Sequence, residues 1–458
     1  MNAPRNIAVI DIGKTNAKVA VFDLATLKEL ARLDTTNTVI QTGLYPHYDI
    51  ETLWQFILGS LAALGANHKI DAVSITTHGA CAAFLDAQGN LALPVLDYEY
   101  GGPQNLAAEY DVQCAPFEQS GSPRLPNGLN LGAQIYWLEK TFVNEFAWVH
   151  WIVSYPQYWA FRLSGVLANE VTSLGCHTDL WNYQTRDYSS LVERMGWRKL
   201  MPELRQASDC LGTLLPEIAT LTGLRNTIPV YCGIHDSNAS LLPHLRAREK
   251  PFAVVSTGTW VICMAIGGRP IALDQSRDTL VNVNAFGEPV PSARFMGGRE
   301  FEILGTTSSN NVHADDINFV LLRKAALLPS VVNGCGPFPN RSMTWLNANG
   351  LSAPQKHIVV SWYLALMTAT CLNLVGAEGP VIVEGPFTQN NSYLEMLAAA
   401  TQRPVHPNHA KGTGTTQGAA LLCNSNFQPL KNDFKVEAVR ADFQNYAANW
   451  MHQVNAEV

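Results

Sequence analysis

Apolar and polar positions along this chain follow two rhythms. Short runs of β-forming apolar residues stop at Gly, Asp or Ser, while longer stretches repeat apolar residues at helical spacing. The runs predict strands over 6–12, 17–23, 71–76 and 81–86, and the helical spacing predicts helices over 51–65, 131–142, 155–164 and 190–204. A Gly-, Pro- and Asn-rich stretch from Pro116 to Gly132 is long enough to predict a working loop rather than a plain connection. Further on, strands are predicted at 229–233 and 380–384, with helices over 237–246, 391–401 and from Gln417, the last reached through Lys411, Gly412, Thr413, Gly414 and Thr415. The charged segment 246–251, ended by Pro251, marks a boundary between residues 1–246 and 247–458. Strand-led halves of this kind imply two α/β domains with a cleft between them.

Each half opens with the same hairpin. The apolar run from Ile7 stops at Asp11, Gly13 allows a sharp turn, and a second run leaves after Lys14, Thr15 and Asn16. The run from Phe252 stops at Ser256 and turns through Thr257, Gly258 and Thr259 into Trp260 and Val261. Successive backbone N–H groups in such a turn form a concavity suited to phosphate oxygens. Asp11 alone reads as a turn aspartate; beside a matching hairpin it reads as a Mg²⁺ ligand. Asp236 follows Gly233, Ile234 and His235 and stands where a helix begins. There it is either an N-cap or an ionised carboxylate poised to accept a hydroxyl proton. Thr77, His78 and Gly79, with Asp97 and Glu99, put polar groups at the ends of apolar strands, as a sugar site needs. His78 is equally readable as a structural histidine.

Composition narrows the choices. Apolar residues make up 47% of 458 and charged residues 15%, enough for more than one large core. The net charge is −7 and the 31 Lys and Arg form no basic run, which argues against a nucleic-acid partner or an anionic membrane surface. Nine scattered cysteines with no C-x-x-C pair read as small buried residues. The uncharged stretch 358–377 is long enough to span a bilayer but carries Ser361, Thr368, Thr370 and Asn373, so a buried helix is expected. With no apolar stretch near the start, a cytoplasmic protein is expected.

In order along the chain, Asp11 to Asn16, Gly233 to Asp236, Ser256 to Thr259, and Gly385 with Gly418, Ala419 and Ala420 resemble the FGGY family of carbohydrate kinases over nearly the whole length. That resemblance implies two actin-like (ribonuclease H-like) ATPase domains around a central cleft. The first would hold the sugar, the first phosphate hairpin and the base; the second would hold ATP. It implies Mg-ATP as donor, Asp236 as catalytic base and Asp11 at the metal. Nucleotide contacts would come from Gly13, Lys14, Thr15, Asn16, Thr257, Gly258, Thr259, Gly385, Gln389 and Asn390. His78, Gly79, Asp97, Glu99 and Asp236 would hold the sugar. Two departures stand out: Lys14 where the family has a small residue, and Pro386 after Gly385, which removes an N–H. The nearest likeness is to kinases of 6-deoxyketoses such as L-rhamnulose and L-fuculose. A pentulose or polyol kinase, or a non-catalytic sugar or nucleotide sensor, is the alternative, and a homodimer is an open option.

Overall fold

Backbone pairing starts at the first hairpin. Asn6–Ile12 and Asn16–Asp23 pair antiparallel with Asp11 opposite Lys18, and Ala72–Thr77 joins Asn6–Ile12 in parallel. In this computed structural model, which describes residues 4–305, 312–409, 414–424 and 440–456, the chain divides into two units. The sheet of the first runs in the order Cys210–Thr213, Pro229–Tyr231, Ala72–Thr77, Asn6–Ile12, Asn16–Asp23, Lys28–Thr36. Ile234–His235 also pairs with Ala72–Thr77, in parallel. Both faces of this sheet are covered, which is why its central strands are nearly all apolar. Ala8, Ile10 and Ile12 pack toward the helices Ile50–Asn67 and Tyr155–Ser164. Ile7 and Val9 pack toward Asp236–Ala247 and Gly414–Leu421. The strand period of two thus feeds two cores from one strand.

In the second unit, Phe252–Thr257 pairs antiparallel with Val261–Ile266 and parallel with Val381–Glu384. Pro289–Phe295 adds beyond Val261–Ile266, and Val405–Pro407 beyond Val381–Glu384. The uncharged stretch lies within the helix Ala353–Leu374, which opens with a capping box between Ser352 and Gln355. It is long and apolar enough to cross a membrane, but 83% of its apolar window is buried within the protein. Trp362, Met367 and Leu372 there form the centre of the core with Phe443 and Trp450.

Several expectations need correction. The chain does not divide at one point, because Val281–Pro289 and the described residues of 412–429 belong to the first unit. Val281 donates its N–H to Gly121 O at 2.9 Å, and a Cβ at Gly175 would meet Val283 Cγ2 at 2.3 Å. Ser74 Oγ donates to Ala419 O at 2.7 Å. A Cβ on Gly418 would meet Ala239 O at 1.7 Å, so Gly418 lets the helices Asp236–Ala247 and Gly414–Leu421 pack closely. The expected helix 190–204 stops at Arg194, because Gly196 is left-handed at φ +69°; Trp197–Leu200 is a 3-10 turn and Leu204–Arg205 a strand. The edge strand Lys28–Thr36 was not expected, because it is largely exposed and polar and so lacks the apolar signal. Lys411, Gly412 and Thr413 lie outside the described residues.

Candidate active site

Three strands of the first unit end side by side. Ile12 is in register with Thr77, and His235 with Thr77, so the next residues, Gly13, His78 and Asp236, emerge together at the carboxyl ends of parallel strands. His78 donates its backbone N–H to Ile12 O at 2.8 Å. Asp236 begins the helix Asp236–Ala247, and its Oδ1 accepts from Ser237 N at 2.5 Å and Ser237 Oγ at 3.3 Å. The same oxygen lies 3.2 Å from His235 Nε2. Among the described residues, Oδ2 has no hydrogen-bond partner, and the side chain is 31% exposed. Burial pushes the Asp236 carboxyl above the ordinary range, against the opposing influence of His78 and the Ser237 hydrogen bonds.

The two histidines are neutral at pH 7, because burial pushes each down to about 4. His235 Nδ1 faces Asn238 Nδ2 at 3.4 Å, which assigns its proton to Nε2, directed at Asp236. His78 Nδ1 donates to Gly79 O at 2.9 Å, so its Nε2 carries a lone pair; that atom is buried with no partner among the described residues. The rings of Tyr48, Tyr98 and Tyr155 lie 5.2, 5.4 and 5.2 Å from His78. Gly79 is required for the fit, since a Cβ there would sit 2.7 Å from His235 Nε2.

Of the two acids offered for the sugar, Asp97 is the built one. Its side chain is 11% exposed against 63% for Glu99, and its Oδ1 accepts from Glu99 N at 3.2 Å and Tyr48 OH at 3.5 Å. Lys14 departs from its expected phosphate role. Its Nζ pairs with Asp97 Oδ1 and lies 3.4 Å from Glu99 Oε2, over the rings of Tyr48 and Tyr98. Ala82, Ala83 and Phe84 are buried in a strand paired with Trp151–Ser154.

Asp11 is buried, which raises its pKa against the pull of Lys18 and Thr415. Its Oδ2 lies 3.2 Å from Lys18 Nζ and accepts from Thr415 Oγ1 at 2.9 Å. Among the described residues no three His, Cys, Asp or Glu gather into a metal cage. A single carboxylate still fits Mg²⁺, which keeps several waters and takes one or two carboxylates beside substrate phosphates. Thr15 and Asn16 lie at the exposed turn, where Gly13 N donates to Asn16 O at 2.9 Å.

The second unit presents a different surface. Gly258 N donates to Trp260 O at 3.0 Å and closes the second hairpin, followed outward by Thr259. Thr257 Oγ1 donates to Glu384 O and accepts from Phe387 N at 3.2 Å, tying hairpin to turn. Gly385 has φ +85°, and a Cβ there would meet Thr257 O at 2.0 Å. Pro386 opens the 3-10 helix Pro386–Gln389, a position where the missing N–H breaks no bond of the helix. Beyond it lies a pocket of about 650 Å³ lined by Phe301, Ile317, His357, Pro386, Gln389 and Asn390, among others. Asn390 accepts from Tyr393 N at 3.1 Å as a helix cap and donates to Ser361 Oγ at 2.9 Å, so its side chain shapes the wall.

Sequence reasoning missed His235 as the partner of Asp236, Tyr48 and Tyr98 as the frame of His78, and Thr415. The turn centred on residues 13–16 puts Lys18 opposite Asp11.

Comparison with known proteins agrees across the chain. The N-terminal domain model of the FGGY family of carbohydrate kinases matches residues 6–243, and the carbohydrate kinase FGGY C-terminal domain model matches 249–431. A solved carbohydrate kinase from Novosphingobium aromaticivorans is 34% identical, with a TM-score of 0.92 over 100% of both chains. An L-fuculokinase of Salmonella typhi is 26% identical over 279 residues, 57% of each chain. A xylulose kinase of Escherichia coli strain K12 is 25% identical over 269 residues, 56% of this chain and 53% of its own. The chain thus spans little more than half the length of the curated relatives it matches.

Proposed function

The chain belongs to the FGGY family of carbohydrate kinases, and from that premise we propose that it transfers the γ-phosphoryl group of ATP to a hydroxyl of a small ketose, with Asp236 as general base. The observation that carries this reading is the Asp236 carboxylate, with Oδ1 held by Ser237 and His235 and Oδ2 left for a ligand. Held this way through Oδ1, Asp236 keeps its free oxygen oriented for a hydroxyl of the ketose. As that hydroxyl oxygen bonds to the γ-phosphorus, its proton passes to Oδ2 and the bond from phosphorus to the β-bridging oxygen breaks, releasing ADP. Phosphoryl transfer asks mostly for positioning and charge stabilisation, so the protein's work is to orient and to donate. Mg²⁺ held near Asp11 would neutralise phosphate charge. Lys18, paired with Asp11, and the backbone N–H groups of the first hairpin would add donors around the phosphates. The pocket beside Pro386 is the right size for a nucleoside, and Gly385 lets the backbone come close.

The acceptor we propose is a 6-deoxyketohexose such as L-fuculose or L-rhamnulose. The similarity to L-fuculokinases supports it, as does the half-buried face of Tyr98, which suits a methyl group beside the polar atoms of His78 and Asp97. A pentulose is the second reading, favoured by the xylulose kinase match. Coupled ADP release across ketoses and polyols tests both. We expect kcat/KM to be highest for L-fuculose or L-rhamnulose, with related ketoses detectable because an apolar wall rejects an added hydroxyl by only about 10²-fold. A pentulose or polyol that wins by more than about tenfold rejects the 6-deoxy assignment, and ADP release unaffected by any sugar rejects the kinase reading.

A further inference from the structure

Lys14 sits in the turn of a phosphate hairpin, yet its side chain leaves the turn. Its Nζ pairs with Asp97 Oδ1, lies 3.4 Å from Glu99 Oε2, and stands 5.2 and 5.0 Å from the ring centres of Tyr48 and Tyr98. Those rings also frame His78, whose buried Nε2 has no partner among the described residues. The ammonium therefore belongs to the same wall as His78. It is 20% exposed, so it can meet a ligand as well as its two carboxylates.

We propose that Lys14 is a specificity-determining residue of the acceptor site, engaging with Asp97 two neighbouring hydroxyls of a sugar that the surrounding carboxylates require to be uncharged; this deepens the kinase reading and rests on it. An ammonium has three N–H donors, and two are directed at Asp97 and Glu99. One N–H remains, and Asp97 Oδ2 has no hydrogen-bond partner among the described residues. A donor and an acceptor side by side match a vicinal diol, in which one hydroxyl accepts from Lys14 and the next donates to Asp97. The Asp97, Glu99 and Asp236 carboxylates outnumber this one ammonium. An aldonic or uronic acid would therefore bring a fourth carboxylate into a site already short of positive charge, and like charges this close are strongly disfavoured.

Steady-state kinetics of wild type, Lys14→Met, Lys14→Arg and Glu99→Gln test the proposal, with each substrate varied separately over ketoses and the corresponding sugar acids. Charge-assisted hydrogen bonds of this kind set affinity by roughly 10–100-fold. Lys14→Met should raise the acceptor KM by that factor while the ATP KM stays within about threefold, and Lys14→Arg should recover part of the loss. Wild type should favour the neutral ketose over its acid by at least about 10²-fold. Glu99 is mostly exposed, so Glu99→Gln keeps the test open if Lys14→Met does not fold; it should raise the acceptor KM about threefold and narrow the discrimination against acids. Altered ATP KM with unchanged acceptor KM in both Lys14 variants overturns the proposal and returns Lys14 to the phosphates, with the kinase reading intact. Equal use of ketose and acid by wild type also overturns it. A wild type that turns over no sugar overturns the kinase reading and this inference together.

Discussion

Replacing Gly79 by Ala should disarm Asp236 without touching it. The new Cβ would lie 2.7 Å from His235 Nε2 and 3.1 Å from its Cδ2, where ordinary contact begins at 3.4 Å. His235 is 4% exposed, and its backbone N–H is fixed to Thr172 Oγ1 at 3.1 Å, so the ring itself has to swing by about 0.7 Å (3.4 minus 2.7). The displaced atom is the one 3.2 Å from Asp236 Oδ1. A shift of about 1 Å at a positioned group costs up to about 10²-fold in rate. One hydrogen bond to a charged group is worth about 1.5–3 kcal/mol, or about 10–100-fold. We therefore expect kcat in a coupled ADP-release assay to fall by about 10–100-fold, with both KM values within about threefold. The mechanism is checked in a His235→Ala background, where the methyl meets no ring and Gly79→Ala should cost less than about twofold more. Full activity in Gly79→Ala, or the same loss in both backgrounds, refutes this route to the base.

Asp236→Asn should melt higher than wild type at pH 7: burial raises the folded-state pKa above 3.8, so the ionised carboxyl costs stability above the folded pKa and nothing below 3.8. The gain, about 2–4 °C per kcal/mol in a domain of this size, should vanish as the pH falls toward 4, and a lower melting temperature at pH 7 contradicts it. Gly385→Ala places a Cβ 2.0 Å from Thr257 O at φ +85°, and should weaken binding of a fluorescent ADP analogue by at least about tenfold; unchanged affinity removes this turn from the nucleotide site. Chelation with EDTA should abolish turnover and Mg²⁺ restore it, with Asp11→Ala needing about tenfold more Mg²⁺ for half-maximal rate; a rate indifferent to EDTA excludes the metal role.

What could be read from the chain followed from how directly each feature is written there. The two hairpins are legible because an apolar run, a small residue and a glycine are local, and the helix Tyr155–Ser164 because its spacing is regular and Gly165 ends it in the left-handed conformation. The strand Lys28–Thr36 was illegible because an exposed edge is held by backbone pairing alone and needs no apolar code. The return of 281–289 and 414–424 to the first unit depends on close contacts far apart in sequence, such as Gly418 on Ala239, which no local pattern records. In the candidate site, Asp11, His78, Asp97 and Asp236 stood out as polar residues at strand ends. Lys14 looked like a phosphate contact because it sits in the turn of the hairpin; its side chain pairs instead with Asp97, 83 residues away. His235 hid behind Asp236 because adjacent residues on a strand normally face opposite sides, and only the turn into the helix brings Nε2 back to Oδ1.

Single-turnover ADP formation by wild type and Asp236→Asn, at saturating Mg-ATP and L-fuculose, tests the proton acceptor most directly. The rate should fall by about 10²–10⁴-fold in the variant, the range for loss of a positioned base. Calorimetric affinities for nucleotide and sugar should stay within about twofold. An Asp236→Asn enzyme that turns over at near wild-type rate would contradict the assignment and leave Asp236 as no more than the first residue of its helix.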